Sequence, residues 1–311
     1  MLRTFTCLLF AASATFAADS LRQASPWASG VGLSDRIADL PEDWPLLTKH
    51  FAYITPENCM KPVATQPSAG VWRLEGPDRF VEFARSKDLK VVGHCLVWAK
   101  DDRTPAWFYQ DGAAPASREV LLARMKSYIE TVVGRYKGKI AAWDVVNEAL
   151  GDGKTELRES GWTRAAGEDF IALAFEYAHA ADPSAQLIYN DYNNELDGKR
   201  EKMLALLARL KVRKAPVHAV GLQGHYEIDR VPYEALEKTL IALRGIGMKV
   251  VVSELDIDVI PRGRWWADGN KHRAEMAKIN PYIDGCPPEI LARQAEQYAQ
   301  LFRLFRKYDD V

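Results

Sequence analysis

The sequence lacks an excess of charge of either sign, because its 41 lysine and arginine residues are nearly balanced by 42 aspartate and glutamate residues. Binding to nucleic acid or to an anionic membrane generally needs a concentrated positive field, which this composition does not supply. After residue 17 the sequence also lacks an uninterrupted apolar run of about 18 residues, the length that spans a bilayer. We therefore expect no nucleic-acid or membrane partner and a neutral, polar ligand. The protein is also expected to be a monomer.

The amino terminus has the pattern of a secretory signal peptide. Arg3 precedes a short apolar run that ends in small residues, and cleavage is expected after Ala17. The run is too short to cross a membrane. We therefore predict a signal peptide over residues 1–17 and a secreted or periplasmic mature protein.

Cysteines and flexible linkers are also scarce. Cys7 would leave with the signal peptide, so three cysteines remain and at least one thiol must stay free. Cys59 and Cys95 lie at similar points of neighbouring predicted strands, where either a disulfide or two free core thiols would fit. No Gly/Ser-rich or low-complexity segment divides the remaining chain, which predicts one domain over residues 18–311.

What the sequence does contain is a repeated alternation of short apolar runs and longer amphipathic segments. The runs predict seven strands, at residues 30–33, 51–55, 90–97, 140–146, 186–189, 217–222 and 249–252. Helical spacing is clearest at residues 118–136, 170–181 and 291–308. This alternation favours a parallel sheet with helical crossovers. A doubly wound sheet is the alternative, but no Gly-rich phosphate loop follows the first strand.

The buried strands show no regular alternation of apolar and polar residues, which suits a (β/α)₈ barrel. Seven strands are one fewer than that fold requires. The last predicted helix ends just before Val311, so the eighth β/α unit is expected to be missing at the C-terminus.

Polar residues collect at the C-terminal ends of the predicted strands, where a barrel of this kind carries its active site. Glu148 follows the fourth strand and Glu254 follows the seventh, and strands three apart in an eight-stranded barrel face each other. Glycosidic bonds are cleaved by two carboxyl groups, one that protonates the leaving oxygen and one that attacks or activates water. Glu148 and Glu254 are the predicted catalytic pair.

Three motifs make the prediction specific: WDVVNEA at residues 143–149, GLQGHY at 221–226 and SELDI at 253–257. With these motifs in this order, the chain resembles glycoside hydrolase family 10 from about residue 30 onward. That family consists mainly of endo-β-1,4-xylanases. The resemblance implies a (β/α)₈ barrel that acts on xylan without a cofactor or metal. It also implies a retaining mechanism, with Glu148 as the acid/base and Glu254 as the nucleophile.

The resemblance also assigns roles to the surrounding residues. Asn147 matches a residue that binds the sugar 2-hydroxyl, and His225 and Asp256 match a network that keeps the nucleophile ionised and oriented. Tyr192 is a candidate for the leaving-group side of the cleft. Six further residues match positions that line its non-reducing side: Glu57, Asn58, Lys61, His94, Trp98 and Gln223.

The sequence departs from the family pattern at two positions. Ala99 stands where the family usually has histidine after the tryptophan of the third strand, and Pro62 stands where an aromatic residue is common. These differences, with the expected missing unit, leave a non-catalytic xylan-binding protein as an alternative. The same mechanism acting on β-1,4-glucan is a second alternative. Glucose differs from xylose by one hydroxymethyl group, and the sequence does not show whether the binding pocket accepts that group.

A metal-dependent barrel hydrolase is a third alternative. His94, His225, Glu254 and Asp256 could in principle surround a cation. The His-x-His pairing that such sites often use is absent from the sequence.

Overall fold

The computed structural model describes residues 18–260, 278 and 280–311. The predicted signal peptide at residues 1–17 lies outside the described residues. Within the described part of the chain, no helix is both long and apolar enough to span a membrane.

The centre of the fold is a parallel sheet whose strands lie between Gly30 and Val252. In the described residues the sheet has seven strands in the order β1-β2-β3-β6-β7-β8-β10. They are β1 (Gly30–Leu33), β2 (Tyr53–Pro56), β3 (Lys90–Trp98), β6 (Ala142–Asn147), β7 (Gln186–Asp191), β8 (Ala219–Leu222) and β10 (Lys249–Val252). All seven predicted strands are thereby confirmed, with ends that differ by a few residues.

Two pairs of very short strands lie outside this sheet. β4 (Gln110–Asp111) and β5 (Ala114–Pro115) form an antiparallel hairpin. β9 (His225–Glu227) pairs in parallel with β11 (Asp256–Asp258), and His225 lies opposite Asp256. The second pair follows the ends of β8 and β10, so it brings two predicted site residues side by side.

Each strand of the main sheet is followed by one or more helices. Among the described residues, the α-helices are α1 (Leu21–Ala24), α2 (Trp44–His50), α3 (Pro62–Thr65), α4 (Glu75–Ser86), α5 (Arg118–Arg135), α6 (Gly161–Ala166), α7 (Asp169–Ala181), α8 (Asp197–Val212), α9 (Tyr233–Gly245) and α10 (Pro288–Arg306). The three helices predicted from spacing correspond to α5, α7 and α10. This succession of parallel strands and helices agrees with the predicted (β/α)₈ class.

The interior of the sheet is tightly packed around Trp143, which is fully buried. Trp143 in β6 lies opposite Gly93 in β3. A Cβ atom added to Gly93 would lie 2.2 Å from the Trp143 ring. Glycine is therefore required here because of the close approach of a side chain.

We expect Gly93→Ala to lower the free energy of unfolding by about 1 to 3 kcal/mol or more, because the buried Trp143 ring cannot move away from the added methyl group. Gly134→Ala in α5 is the matched control. An added Cβ meets nothing within 4 Å there, and replacing a helical glycine should stabilise the protein by about 0.5 to 1 kcal/mol. Urea unfolding of both variants and of the wild-type protein tests this. Equal unfolding midpoints for Gly93→Ala and the wild-type protein would contradict the packing argument.

Candidate active site

The predicted site residues converge at the C-terminal ends of the parallel strands. His94 and Trp98 belong to β3, Asn147 ends β6, and Glu148 follows it directly. Gln223 follows β8, and Glu254 follows β10 two residues later. Because parallel strands end at the same edge of a sheet, residues from distant parts of the chain meet there.

Glu254 is held by two neighbours, and one of them contacts a second carboxylate. Asn190 donates a hydrogen bond from Nδ2 to Oε1 of Glu254 over 2.8 Å. The His225 Nε2 atom lies 3.2 Å from Oε2, and His225 Nδ1 lies 3.1 Å from Oδ1 of Asp256. One imidazole thus bridges two carboxylates, which is the pairing of His225 and Asp256 that the sequence predicts. Their role in orienting a nucleophile remains a prediction.

The electrostatics of this group favour an ion pair. Burial alone would raise the pKa of Glu254, but the hydrogen bond from His225 and the nearby charges of His94 and His225 lower it to about 2. Burial alone would lower the pKa of His225, but hydrogen bonds to Asp256 and Glu254 raise it to about 9. At neutral pH, Glu254 is therefore a carboxylate and His225 is an imidazolium.

Glu148 lies in a different environment. Its Oε1 atom accepts a hydrogen bond from Nε2 of Gln223 over 3.2 Å and a longer one from Nδ2 of Asn147 over 3.5 Å. Its side chain is only 13% exposed. The hydrogen-bond donors to Oε1 of Glu148 are thus neutral amides, and the guanidinium of Arg158 lies 3.9 Å from its other oxygen, Oε2.

A chain of amides connects the two glutamates. Asn190 donates through Nδ2 to both Glu254 and Oδ1 of Asn147, the latter over 2.9 Å. Its own Oδ1 accepts a hydrogen bond of 2.6 Å from the Ser253 hydroxyl. Asn190 is fully buried. Asn190 is not among the residues predicted from the sequence, although its place at the end of β7 was a usable signal.

The non-reducing side predicted for the cleft contains a second buried pair. Nδ1 of His94 lies 2.8 Å from Oδ2 of Asp144, and the His94 ring meets Trp98 edge-on at 6.1 Å. Burial would lower the pKa of His94, but the hydrogen bond and charge of Asp144 raise it. The pair fixes the His94 ring beside the indole.

Lys61 lies over the same indole, with its ammonium nitrogen 5.0 Å from the ring centre. It also donates a 3.1 Å hydrogen bond to Oδ1 of Asn58. Glu57, directly after β2, lies next to Gly32, where an added Cβ would approach it at 3.7 Å. The structure therefore brings Lys61, Asn58 and Trp98 together and places Glu57 at the end of the neighbouring strand.

Tyr192 lies on the Glu148 side of the site, where its hydroxyl accepts a 2.6 Å hydrogen bond from Nη2 of Arg158 and donates one to Asp152. Arg158 also contacts Glu148 and was not predicted from the sequence. No strand pattern could have identified Arg158, because it lies in the irregular segment between β6 and α6.

The remaining predictions concern metals and cysteines. Within the described residues, no group of three or more His, Cys, Asp or Glu side chains is placed to share a metal ion. Cys59 and Cys95 are free thiols. Of the two possibilities left open for this pair, the structure therefore shows two free thiols and no disulfide.

A parallel α/β barrel that carries two carboxyl groups among amide and imidazole donors at its strand ends has the features of a glycoside hydrolase. Comparison with known proteins defines the class more closely. The model of glycosyl hydrolase family 10 matches residues 22–311. The chain belongs to this family.

Its relatives and structural neighbours agree. The endo-1,4-beta-xylanase B of Paenibacillus barcinonensis is 38% identical over 281 residues, which are 89% of this chain and 80% of that protein. An endo-1,4-beta-xylanase of Geobacillus stearothermophilus is 39% identical, over 86% of this chain and 76% of that protein. A GH10 endoxylanase structure from a sugarcane soil metagenome superposes with a TM-score of 0.83 at 37% identity, covering 93% of this chain and 85% of that one.

The ion pair of the site leads to a prediction about pH dependence. In His225→Asn, Glu254 loses its imidazolium partner, so burial should raise its pKa from about 2 toward or above its ordinary value of 4.5. The acid limb of the kcat/KM profile should then move to higher pH. His50→Asn, in α2 far from the strand ends, is the control. An unshifted acid limb in His225→Asn would show that His225 does not keep Glu254 ionised.

Proposed function

We propose that the protein hydrolyses internal β-1,4-xylosidic bonds of xylan with retention of anomeric configuration. The observation that carries the proposal is the pair of glutamates in contrasting environments. Glu254 is ionised between His225 and Asn190, whereas Oε1 of Glu148 accepts hydrogen bonds from neutral amides and its Oε2 faces the Arg158 guanidinium at 3.9 Å. The names of the family relatives, endo-1,4-beta-xylanases, support xylan as the substrate.

The first step transfers a glycosyl group to the enzyme. The Glu148 carboxyl donates its proton to the glycosidic oxygen while a Glu254 oxygen attacks the anomeric carbon. The bond between the anomeric carbon and the glycosidic oxygen breaks, and its electron pair stays on that oxygen. With the proton from Glu148, this oxygen becomes a hydroxyl group of the leaving sugar. An ester then joins Glu254 to the remaining xylosyl unit.

The second step reverses the roles. The Glu148 carboxylate accepts a proton from water, and the water oxygen displaces Glu254 from the anomeric carbon. Two inversions restore the original configuration. His225 and the Asn190 amide act on Glu254 in both steps, since they stabilise the carboxylate that attacks and later departs.

The other residues bind the sugar. Asn147 is assigned to the 2-hydroxyl next to the cleaved bond, a contact that strengthens as positive charge develops in the transition state. Glu57, Asn58, Lys61, His94, Trp98 and Gln223 are assigned to the non-reducing side and Tyr192 to the leaving-group side. Support for these assignments comes from their positions at the strand ends.

The proposed activity is tested by measuring reducing-sugar release from arabinoxylan and β-glucan, with Glu254→Gln as the blank. We expect release from arabinoxylan that the blank does not reproduce. Release from β-glucan alone would replace the proposed substrate. Xylan binding without release from either polymer would favour the non-catalytic alternative.

We also propose that the protein is exported, with cleavage after Ala17. The arrangement of Arg3, a short apolar run and small residues supports export, as does a polymeric substrate that does not enter cells. Amino-terminal sequencing of the protein from a culture medium or periplasmic extract should begin at Ala18. Retention in the cytoplasm with an intact amino terminus would contradict this proposal.

A further inference from the structure

Glu148 has an unusual backbone conformation. Its φ angle is 57°, in the left-handed region, where a residue other than glycine is strained by roughly 1 kcal/mol or more. Such a conformation persists only when neighbouring groups hold both adjoining peptide units. The Glu148 N–H group donates a 2.9 Å hydrogen bond to the Asn190 carbonyl, which fixes one side.

Arg158 fixes the other side. Its Nε donates a 3.0 Å hydrogen bond to the Glu148 carbonyl. Its Nη2 also lies 3.9 Å from Oε2 of Glu148, and the two side chains are only 18% and 13% exposed. The same guanidinium therefore holds the backbone of Glu148 and faces its carboxyl group. Oε1, by contrast, faces the Gln223 and Asn147 amides.

Arg158 is itself held by a network. Nη2 donates to the Tyr192 hydroxyl over 2.6 Å and lies 3.4 Å from Oδ2 of Asp152. Lys199 connects Asp152 to the fully buried Asp191 through contacts of 3.0 and 2.9 Å. Asp191 in turn accepts a 3.2 Å hydrogen bond from the N–H group of Leu150. The network thus returns to the chain two residues after Glu148.

We propose that Arg158 is a positioning residue for proton transfer by Glu148. It holds the left-handed turn that carries the carboxyl group, and its positive charge stabilises the carboxylate left after the proton has moved to the leaving oxygen. This inference rests on the proposed function. It concerns only the proton-donating partner, because the described contacts of Arg158 involve Glu148 and not Glu254.

The role has a specific kinetic consequence. A leaving group that is a stable anion departs without a proton, whereas a poor leaving group departs only if Glu148 protonates it. Loss of Arg158 should therefore slow the hydrolysis of each substrate in proportion to how much its leaving group needs protonation. Damage to sugar binding or to the fold would instead slow all substrates alike.

The test compares Arg158→Met and Arg158→Lys with the wild-type protein on dinitrophenyl and phenyl β-xylobiosides. For Arg158→Met, kcat/KM on the phenyl substrate should fall about 10- to 100-fold, the scale of a misplaced catalytic group. On the dinitrophenyl substrate it should change by less than about threefold. Arg158→Lys keeps the charge but not the Nε contact, so it should recover part of the loss. It also provides the comparison if the methionine variant does not fold.

Arg164→Met is the matched control. Arg164 lies on the nearby helix α6 and forms a 2.5 Å ion pair with Asp101. Its substitution should leave the ratio between the two substrates unchanged. Equal losses on both substrates in the Arg158 variants, or no loss, would overturn the role. If the wild-type protein turned over neither the xylobiosides nor xylan, the proposed function would fail and this role with it.

Discussion

Replacing Glu254 with glutamine should abolish xylan hydrolysis, with kcat falling by at least about 10⁴-fold, the scale for loss of a covalent nucleophile. An amide has no negative charge and cannot form the glycosyl ester. Glutamine keeps the volume of the side chain and an oxygen that can accept from Asn190. The loss should therefore be in chemistry, while KM changes little.

The control for this variant is Glu234→Gln, which makes the same chemical change at an exposed position of α9. Reducing-sugar release should match the wild-type rate in the control and fall to the level of an enzyme-free sample in Glu254→Gln. Thermal unfolding of both variants shows whether each is folded. A folded Glu254→Gln that retained more than a few per cent of activity would exclude Glu254 as the nucleophile.

Replacing Glu148 with glutamine should give the second-largest effect, a loss of about 10² to 10⁴-fold on xylan, the scale of general acid–base catalysis. Glutamine preserves the side-chain volume but cannot donate an acidic proton. A dinitrophenyl xylobioside needs no acid, so its first step should remain fast. The second step still needs a base, so the glycosyl-enzyme should accumulate after a burst of dinitrophenol.

Azide provides the decisive addition to this experiment. It is a nucleophile that needs no general base, so it should restore turnover of the dinitrophenyl substrate by Glu148→Gln and give the β-glycosyl azide. The wild-type protein should not be accelerated. A variant with neither burst nor azide rescue would mean that Glu148 does not serve as the acid/base.

The fold was largely predictable because buried strands carry a strong apolar signal. β6, for example, is buried at every position, and its sequence is apolar enough to be recognised. The two- and three-residue strands β4, β5, β9 and β11 were missed, since so few residues carry no periodicity. The pairing of β9 with β11 nevertheless determines which imidazole lies beside Glu254.

Candidate site residues could be predicted from the sequence where they lie at the end of a strand. Glu148 and Glu254 were proposed because parallel strands bring their ends together, and His225 was proposed from the resemblance to the family. Arg158 was not, because a residue in an irregular segment reaches Glu148 only through the folded course of the chain. The left-handed conformation of Glu148 was equally hidden, since glutamate has no preference for it and the surrounding hydrogen bonds impose it.

The most direct test of a retaining mechanism at Glu254 is to trap the covalent intermediate. A 2-deoxy-2-fluoro-xylobioside with a dinitrophenyl leaving group slows both steps, but its activated leaving group lets the first proceed faster than the second. Intact-mass spectrometry should then show one added fluoro-xylobiosyl group, and peptide mapping should place it on Glu254. A label on Glu148, or no label on a protein that hydrolyses xylan, would contradict the assignment.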